Sequence, residues 1–562
     1  MLNLALRPYR EAAYQALRQV GLPHLLARLY AARGIEAPEA MKMKLADLLP
    51  VAELKNAEAA GARLADAVAR GEKLLVVADY DADGATACAL AMAGLGALGA
   101  RVDYLVPNRF EYGYGLTPEI ARLAAERGPD LLITVDNGIA ANAGVEEARR
   151  LGLEVLVTDH HLPGETLPEA LIVNPNQPGC PFPSKHLAGV GVMFYVLTAL
   201  RAELRRRGAF ASQPEPDLRE LLDLVALGTI ADVVRLDANN RLLVAQGLAR
   251  IRQGKARPGI HALFMVANRP LDRASSEDLG YCIGPRLNAA GRLSDMGRGI
   301  ACLLAPTLDT ALPLAGELDQ LNRERRGIEA DMQEQAQALL EGIEVADGAS
   351  LTLYDPAWHQ GVVGLLASRL KDRHHRPILV FADAGDGLLR GSGRSIAGLH
   401  LRDALDLVDR RLPGVILKYG GHAAAAGLSL RREHLEAFSA AFETVARESL
   451  TEADLIRVIE TDGELAPDEF SLANAEALRD AVWGQGFPAP AFQGEFTVQS
   501  QRLVGDKHLK LRLAGPGFTA EAMRFFQDTP LPERIQAVYR LEVNEWSGVR
   551  GVQLNVAQWA GE

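Results

Sequence analysis

The stretch Leu74-Leu75-Val76-Val77-Ala78-Asp79-Tyr80-Asp81-Ala82-Asp83-Gly84 decides the fold: five apolar residues are followed by three alternating carboxylates and a glycine. A short apolar run containing valines is typical of a central parallel strand that is covered on both faces. The glycine then lets the backbone turn into the alanine-rich run 85–98. The three carboxylates are therefore predicted at the carboxyl edge of a sheet, where open α/β folds bind their ligands.

Three carboxylates so close together would repel one another and raise one another's pKa values unless a cation neutralised them. A hard divalent metal ion is the simplest such cation. The spacing also begins a calcium-binding EF-hand loop, but the twelfth position of that loop is Leu90 instead of a bidentate Glu, and a strand precedes it. An acidic turn exposed to solvent is the remaining alternative.

Length and composition predict an ordinary globular protein of three or four domains for these 562 residues. No apolar stretch approaches the ~18 residues of a membrane span, and the N-terminus lacks the apolar core of a signal peptide, so a cytoplasmic protein is expected. The four cysteines are far apart and form no C-x-x-C, which predicts buried thiols and no zinc knuckle or disulfide framework. The net charge of −12 repels phosphate at long range, so any nucleic-acid binding must use local basic surface and metal.

Alternation of strand-like and helical segments from 71 to about 235 predicts an α/β domain with a doubly wound, mostly parallel sheet. The preceding residues, 1 to about 65, are rich in Ala, Leu and Arg at helical spacing and predict a helical extension. The predicted strands are 74–78, 102–106, 131–135, 155–158 and 171–173.

Polar residues follow the predicted strands where each one ends. Asp136-Asn137-Gly138 follows 131–135, and Asp159-His160-His161 follows 155–158. One such Asp is often a helix cap and one such His is usually a satisfied polar residue, but three successive strand ends form a more specific pattern. Oxygen ligands with one or two imidazoles favour Mn²⁺ or Mg²⁺, and this many carboxylates favour two ions that share a bridging Asp. Because the ends of parallel strands converge on one edge, we expect five side chains to be neighbours: Asp79, Asp81, Asp83, Asp136 and His160.

Four short segments resemble, in order, the motifs of the DHH phosphoesterase superfamily: 79–84, 136–138, 159–161 and Gly228-Thr229-Ile230-Ala231-Asp232. Nearly the whole chain is similar to the branch of that superfamily formed by bacterial single-strand-specific 5′→3′ DNA exonucleases. The resemblance implies a two-metal manganese or magnesium centre, with Asp136 as the bridge and His161 holding the scissile phosphate. The chain departs from many relatives at Val77, where they carry a His. The implied ligands are Asp79, Asp81, Asp83, Asp136, His160 and Asp232, and the implied catalytic residues are Asp136, His160 and His161.

Two further segments lie between and after these motifs. Pro107 to Leu116 is a loop rich in Gly and aromatic residues, and the resemblance favours Arg109 as a contact to nucleic-acid phosphate, to which a guanidinium can donate two hydrogen bonds. Gly284 to Arg292 interrupts a helical region and by itself predicts a loop, whereas the resemblance implies that Arg286 faces DNA. The segment 187–192 is predicted to serve tight helix packing and not ligand binding.

The run 315–340 has apolar residues at helical spacing and predicts a long helix between two lobes, with the catalytic cleft between them. A second α/β lobe follows, with strands near 350–354 and 377–381. Its Gly-rich segments 391–395 and 420–427 predict loops whose N–H groups can bind phosphate, although each could equally be a hairpin turn or a helix start. The lobe resembles the DHH-associated domain, which implies that it binds substrate. The predicted substrate contacts in this lobe are Ser392, Arg394 and His422, and we expect the first two, with Arg109 and Arg286, to hold a terminal 5′-phosphate.

The last ~110 residues alternate basic and apolar positions, as in His508-Leu509-Lys510-Leu511-Arg512-Leu513. That pattern predicts an antiparallel sheet with one face in water. The order of strands fits a β-barrel OB-fold, whose exposed face commonly binds single-stranded nucleic acid. His508 and Lys510 are therefore predicted DNA contacts.

The predicted domains are a helical extension (1–68), a DHH catalytic domain (69–314), a connecting helix (315–345), a DHH-associated domain (346–447) and an OB-fold (448–562). The expected function is metal-dependent 5′→3′ hydrolysis of single-stranded DNA in recombination and repair. A phosphoesterase for oligonucleotides or cyclic dinucleotides and a catalytically silent DNA-binding scaffold are the alternatives. The resemblance implies a single-strand-binding protein and a RecQ-type helicase as partners besides single-stranded DNA, and we expect a monomer that does not contact a membrane.

Overall fold

A five-stranded sheet contains the apolar run 74–78 that precedes the three carboxylates. Its order is β3-β2-β4-β5-β6, and each neighbouring pair is parallel. The predicted strands are confirmed to within one residue at each end: β2 (Lys73–Ala78), β3 (Arg101–Leu105), β4 (Leu131–Val135), β5 (Glu154–Thr158) and β6 (Leu171–Val173).

The structure is a computed structural model that describes residues 2–106, 115–340, 348–505, 507–546 and 548–561. It forms two units, Met1–Asp319 with Glu460–Glu562, and Gln320–Ile459. The helices are α1 (Glu11–Gln19), α2 (His24–Ala31), α3 (Ala57–Arg70), α4 (Ala82–Ala97), α5 (Pro118–Glu126), α6 (Asn142–Arg150), α7 (Gly189–Arg206), α8 (Leu222–Ala231), α9 (Ala238–Arg252), α10 (Pro258–Val266), α11 (Gly284–Leu293), α12 (Gly297–Leu304), α13 (Leu308–Leu340), α14 (Val363–His374), α15 (Leu401–Arg411), α16 (Leu435–Ser449) and α17 (Leu472–Asp480).

Both faces of the parallel sheet are buried, as the continuous apolar run predicts. On one face Leu75 and Val77 pack with Ile120 of α5 and Val145 of α6. Apolar side chains on the other face are fully buried as well, and α4, which follows β2 directly, contacts that strand. The carboxyl edge of the sheet is left for the polar residues that follow each strand.

The N-terminal extension is mainly helical, as predicted, but it begins with a strand that the sequence did not indicate. Strand β1 (Leu4–Leu6) pairs with β12 (Ile459–Thr461), and the next residue, Arg7, donates its backbone N–H to the carbonyl of Thr461 at 2.8 Å. A three-residue strand has no detectable periodicity, which is why the pattern missed it.

The prediction of a loop over 284–292 is wrong. A π-helix covers Asp278–Ile283 and runs directly into α11, with Pro285 in the first turn of the α-helix. Proline is well tolerated there because the first N–H groups of a helix have no partner within it. Gly284 and Pro285 begin a helix, whereas the composition of the segment predicted a helix break.

In the second unit a five-stranded sheet has the order β10-β11-β9-β8-β7. Its strands are β7 (Leu351–Tyr354), β8 (Ile378–Asp383), β9 (Leu388–Arg394), β10 (Ile416–Gly421) and β11 (Ala425–Arg431). Segment 420–427 is a hairpin between β10 and β11, but the loop expected at 391–394 is wrong, because those residues belong to β9. Gly391 and Gly393 allow close packing within this unit. A Cβ on Gly391 would lie 2.4 Å from Phe381, and a Cβ on Gly393 would lie 2.7 Å from Leu379.

The C-terminal residues form a closed five-stranded barrel with the order β13-β14-β15-β17-β16, which confirms the OB-fold prediction. Leu509, Leu511 and Leu513 point inward and are buried, while the basic residues between them face outward. The barrel strands are β13 (Phe492–Val504), β14 (His508–Gly515), β15 (Phe518–Phe525), β16 (Arg534–Trp546) and β17 (Val549–Gly561). Among the described helices of the chain, none combines the length and apolarity needed to cross a membrane.

Candidate active site

The polar residues after the parallel strands converge, as the sequence predicted. Their candidate ligand atoms form three overlapping groups, and within each group the atoms lie within 4.8 Å of one another. Asp136 and His160 each belong to two groups, which suits two cation positions with shared ligands. The groups are Asp79, Asp81 and Asp136; Asp83, His160 and Asp232; and Asp136, His160 and His161.

Asp81 and Asp83 are oriented by backbone donors. Asp81 caps α4 by accepting hydrogen bonds from the N–H groups of Asp83 (2.9 Å) and Gly84 (3.0 Å). Asp83 is fully buried and accepts from the N–H groups of Gly189 (2.6 Å) and Val190 (3.0 Å) at the start of α7. The prediction that 187–192 serves tight helix packing is confirmed, and its first helical turn also positions a candidate ligand.

Asp136 leaves β4 in a left-handed backbone conformation, with φ of 62°. Asp and Asn tolerate that region better than most residues because their short side chains can hydrogen-bond locally. The α7 backbone approaches this side chain closely: a Cβ on Gly189 would lie 2.6 Å from Asp136 Oδ1. The missing side chain of Gly189 therefore leaves room for the Asp136 carboxylate, which lies at the middle of the cluster.

The metal-free cluster strongly favours protonation of its carboxyls. Burial, together with repulsion from Asp232, raises the pKa of Asp83 to about 7. Burial and repulsion from Asp81 raise the pKa of Asp232 to about 7, and burial with repulsion from Asp83 raises the pKa of Asp136 well above its ordinary value. Carboxyls arranged in this way are stabilised as anions only if a cation lies among them.

Buried atoms of the cluster that make no hydrogen bond with any described residue include Asp136 Oδ1, His160 Nε2 and Asp232 Oδ2. His160 Nε2 lies 3.1 Å from Asp136 Oδ1 and 3.5 Å from Asp232 Oδ2, so the three converge without being bonded. Buried polar atoms are rarely left in this state, and a coordinated cation would satisfy all three. The residues present therefore fit a divalent metal, and their oxygen and imidazole donors suit Mn²⁺ or Mg²⁺.

Asp159 organises the two histidines, a role that the sequence analysis did not assign to it. Its Oδ1 accepts from the N–H groups of His160 (2.7 Å) and His161 (3.1 Å) and lies 2.7 Å from His161 Nδ1. Burial lowers the pKa of His161, but the hydrogen bond and the charge of Asp159 outweigh it and raise that pKa to about 9. Burial holds the pKa of His160 below its ordinary value, which suits a neutral metal-ligating imidazole.

Helix α11 packs against the acidic segment 79–84 and forms a hydrogen bond with it. The side-chain oxygen of Asn288 accepts a hydrogen bond from the N–H of Ala82 at 2.9 Å. A Cβ on Gly291 would lie 1.9 Å from the carbonyl oxygen of Tyr80, so this glycine permits close contact between helix and loop. Neither residue could be identified from the sequence pattern, because their partners lie about 200 positions away.

Comparisons with known proteins agree with this geometry. The chain matches the family models "DHH family, N-terminal domain" over residues 73–229, "DHHA1 domain" over 347–448 and "RecJ OB domain" over 461–558. It is 52% identical to the single-stranded-DNA-specific exonuclease RecJ of Dickeya dadantii and 51% identical to that of Escherichia coli, and each match covers 95% of both chains. The chain belongs to the RecJ family.

A crystal structure of RecJ from Thermus thermophilus in complex with Mn²⁺ matches this chain with a TM-score of 0.82 at 31% identity, covering 100% of this chain and 79% of that one. The Mg²⁺ complex of the same protein matches with a TM-score of 0.76 at 29% identity and covers 78% of that chain. This RecJ chain is therefore similar in fold to a protein that has been crystallised with each of the two cations that its ligand set favours.

Arg286, predicted to contact DNA in this RecJ chain, lies in α11 and pairs with Asp319, 2.8 Å from its Nη2 atom. Its side chain is largely buried, so part of the guanidinium is already committed within the protein. Arg109 lies outside the described residues, and its predicted role stays a prediction.

Ser392 and Arg394 lie on β9 in the second unit of the RecJ chain, two residues apart and so on the same face. Arg394 donates to Ser392 Oγ at 3.1 Å, and a Cβ on Gly364 of α14 would lie 3.0 Å from that oxygen. Burial lowers the pKa of Arg394, and within the described part of the chain no carboxylate forms an ion pair with it. A largely buried guanidinium without a carboxylate favours an anionic ligand.

His422 is exposed in the turn between β10 and β11, where its N–H donates to the carbonyl of Ala425 at 2.8 Å. On the barrel, His508 Nδ1 accepts from the N–H of Phe526 at 3.1 Å, and Lys510 Nζ pairs with Glu521 at 2.8 Å. These three contacts involve only the protein, and the DNA-binding roles of His422, His508 and Lys510 in this RecJ chain stay predictions.

Proposed function

We propose that this chain is a metal-dependent exonuclease that hydrolyses the phosphodiester bonds of single-stranded DNA in the 5′→3′ direction, in DNA recombination and repair. The observation that carries the proposal is the convergence of Asp136, His160 and Asp232 with buried, unbonded ligand atoms at the carboxyl edge of the sheet. Its relatives at 51–52% identity are named single-stranded-DNA-specific exonucleases, which supports the same substrate here.

We propose that Asp79, Asp81, Asp83, Asp136, His160 and Asp232 hold two Mn²⁺ or Mg²⁺ ions. Such ions, when bound, supply charge that neutralises the scissile phosphate and lowers the pKa of a water enough to give hydroxide near neutral pH. Asp136 is the bridging ligand in this proposal, which its membership in two ligand groups supports. Val77 stands where many relatives carry a His. Its side chain packs in the apolar core between the sheet and its covering helices and offers no ligand.

His161 has the properties needed to hold the scissile phosphate. Its Nδ1 is engaged by Asp159, and its pKa of about 9 keeps the ring protonated at neutral pH, so Nε2 can donate to a phosphate oxygen. The charge that develops on a nonbridging oxygen would then be met by a donor that is already oriented. His160, whose pKa is lowered by burial, stays neutral beside it as a ligand.

We propose that residues outside the acidic cluster bind the substrate. Ser392 and Arg394, with Arg109 and Arg286, would bind the terminal 5′-phosphate, and the buried, carboxylate-free state of Arg394 supports this role. His422, His508 and Lys510 would contact the strand further along. The domain borders that we propose are 1–68, 69–314, 315–345, 346–447 and 448–562, and the match to the DHHA1 domain over 347–448 supports the fourth of these domains.

We further propose that the chain acts as a monomer in the cytoplasm, where the bacterial chromosome is replicated and repaired. A single-strand-binding protein and a RecQ-type helicase are the proposed partners, since a nuclease that needs single strands depends on proteins that expose and coat them.

The test is degradation of a 3′-labelled single-stranded oligonucleotide with Mn²⁺, Mg²⁺ or EDTA, comparing the unmodified chain with Asp136→Asn. We expect metal-dependent shortening from the 5′ end that is absent in the variant, with EDTA and on blunt duplex. Cleavage of di- or trinucleotides with survival of long strands would instead indicate the small-substrate phosphoesterase. Binding of DNA without any cleavage would indicate a silent scaffold.

A further inference from the structure

Helix α8 is followed by a residue with a strained backbone, directly after the proposed metal ligand Asp232. Val233 has a φ of 62°, in the left-handed region, and its N–H donates to the carbonyl of Ile230 at 3.3 Å. Glycine is the usual residue at this position after a helix, because a Cβ crowds the backbone there and a second branch makes the crowding worse. Among the described non-glycine residues with a left-handed φ, Val233 alone is β-branched. The chain therefore carries a valine where glycine would be unstrained.

Contacts on the C-terminal side hold this turn in place. The N–H of Leu236 donates to the carbonyl of Gln485 at 2.7 Å, and the side chain of Asn240 donates to the carbonyl of Arg235 at 3.0 Å. Backbone strain persists only where the surrounding structure enforces it, and it is concentrated at functional sites. The strain therefore favours a functional reason for the valine side chain.

Val233 lies where the acidic cluster opens to solvent. Residues 222–229 of α8 are buried, whereas 230–235 are exposed or partly exposed, and Val233 itself is 62% exposed. Of the cluster side chains, those of Asp232 and His161 are 18% and 37% exposed. A substrate phosphate can reach the metal ligands from this open side, which brings its nucleotide beside an apolar, branched side chain.

The bond that breaks determines which part of the nucleotide lies there. In the proposed function a terminal 5′-phosphate is bound before each cut, so each cut must leave a new 5′-phosphate on the remaining strand. The P–O3′ bond is therefore the one that breaks: the oxygen of water bonds to phosphorus, and a proton from that water ends on the 3′-oxygen of the released nucleotide. Carbon C2′ of the released sugar is bonded to C3′, which carries that oxygen, so C2′ must lie beside the metal ligands.

We infer that Val233 contacts C2′ of the 5′-terminal nucleotide and thereby selects deoxyribose over ribose. An apolar side chain suits the methylene group of deoxyribose. It offers no hydrogen-bond partner to the 2′-hydroxyl of a ribonucleotide and keeps water away from it, which disfavours ribose. The inference rests on the proposed function and adds the residue that distinguishes the two sugars.

The test uses the full-length chain with Mn²⁺ and two 3′-labelled DNA oligonucleotides that differ only in the sugar of the 5′-terminal nucleotide, deoxyribose or ribose. The unmodified chain should prefer deoxyribose. Val233→Thr keeps the shape and supplies a hydroxyl, so kcat/KM for the ribose substrate relative to the deoxyribose substrate should rise about 10-fold, within the roughly 100-fold that an apolar surface can discriminate against one hydroxyl. Val20→Thr is the matched control, because Val20 is 58% exposed and also ends a helix, α1, but with an ordinary φ of −88°. It should leave the ratio unchanged.

Two further variants separate substrate contact from folding. Val233→Gly and Val233→Asn suit the left-handed backbone, so in EDTA both should melt at a higher temperature than the unmodified chain. Val233→Gly should nevertheless lower kcat/KM for the deoxyribose substrate by about 10-fold, because the contact with C2′ is lost, and leave that for the ribose substrate nearly the same. Higher stability with lower selectivity in one variant is expected only if the valine serves the substrate and not the fold.

The possible failures of this inference and of the proposed function are distinguishable. If the unmodified chain degrades single-stranded DNA but Val233→Thr keeps its sugar preference, or if the unmodified chain cleaves both substrates equally, Val233 does not select the sugar and the exonuclease assignment stands. If the unmodified chain cleaves neither oligonucleotide, the proposed function fails, and the inference that depends on it fails too.

Discussion

Asp136 combines the carboxylate that we propose as the shared metal ligand with a backbone conformation that most residues avoid. At φ of 62° residues other than Gly, Asn and Asp are strained, so substitution by Ala removes the carboxylate and strains the turn at once. Asn keeps the backbone preference and removes only the charge. Differences between the two variants therefore report the backbone and the ligand separately.

We predict that Asp136→Asn lowers nuclease activity by at least about 100-fold, since even residues behind a metal ligand cost 10–100-fold when they are changed. The metal-free variant should be no less stable than the unmodified chain in EDTA, because a carboxylate repelled by Asp81, Asp83 and Asp232 has been neutralised. Mn²⁺ should raise the melting temperature of the unmodified chain and leave that of the variant nearly unchanged. Differential scanning fluorimetry with and without EDTA measures this, and an equal shift in both proteins would contradict the assigned ligand.

The raised pKa values of Asp83 and Asp232 predict how stability depends on pH. Their pKa values are about 7 in the folded chain and about 4 in an unfolded one, so between these limits the folded state holds protons that the unfolded state releases. The free energy of unfolding of the metal-free chain therefore falls as pH rises from about 4 to about 7. Deprotonated ligands bind cations better, so the stabilisation by Mn²⁺ should grow over the same range.

Urea unfolding at pH 5 and pH 7, in EDTA and in Mn²⁺, measures both effects. Asp83→Asn is the matched control, because its side chain has no proton to release and the fall between the two pH values should be smaller. A fall of the same size in Asp83→Asn would show that groups outside the metal cluster cause the pH dependence.

Helix α7 begins beside the proposed metal ligands, where its first residue supplies a backbone donor to one carboxylate and leaves room for another. Gly189 donates its N–H to Asp83, and its missing side chain leaves room for Asp136. We predict that Gly189→Ala destabilises the chain by about 1–3 kcal/mol, as overpacking does in other cores, and lowers Mn²⁺ affinity because Asp136 must move. Equilibrium unfolding and Mn²⁺ titration by isothermal calorimetry test the two effects.

Gly316→Ala is the control for this prediction. Gly316 lies within α13, and a Cβ there would have no atom within 4 Å. Because Ala is the better helix former, this variant should be up to about 1 kcal/mol more stable with unchanged Mn²⁺ affinity. Equal destabilisation by the two substitutions would mean that helix propensity, and not the contact with Asp136, explains the effect at Gly189.

The elements around the cluster also show what the sequence could predict. Strands β2, β4 and β5 are continuous apolar runs that end in charge, so both their positions and the convergence of Asp79, Asp136 and His160 were predictable from local pattern and the geometry of parallel sheets. The outward row on β14 was predictable in the same way, because strict alternation leaves one face in water.

Supporting residues could not be predicted, because their roles come from contacts distant in sequence. Gly189 is 106 residues from the Asp83 carboxylate that it binds, and Asn288 is 206 residues from Ala82. A backbone N–H carries no side-chain signature, and a glycine required for close approach looks like one in a turn. The Gly-Pro start of α11 shows the same limit: local composition indicates a break, whereas the chain continues as a helix in which Gly284 lies against Ala231.

At the scale of the whole molecule, the buried carboxylate of Asp462 connects the N-terminal extension to the segment that precedes the barrel, both of which lie in the first unit. Asp462 accepts from both terminal nitrogens of Arg33, at 2.8 and 2.9 Å, and from Arg7 at 3.2 Å. The side chains of Arg33 and Asp462 are 0% and 1% exposed. Arg7 also pairs at 3.2 Å with Glu460, whose side chain is 63% exposed. The N-terminal extension is therefore anchored to the residues that lead into the barrel.

These two carboxylates provide a matched pair of substitutions, because each contacts Arg7 and they differ in burial. We predict that Asp462→Asn destabilises the chain by about 3–5 kcal/mol, since it leaves the Arg33 cation buried without its counter-ion. Glu460→Gln should cost no more than about 1 kcal/mol, because water already screens that pair. Urea unfolding followed by circular dichroism measures the difference, and limited proteolysis should release the N-terminal extension from Asp462→Asn first. If both variants unfold at the same urea concentration, the buried pair does not hold the extension to the barrel, and the apolar contacts around it must do so instead.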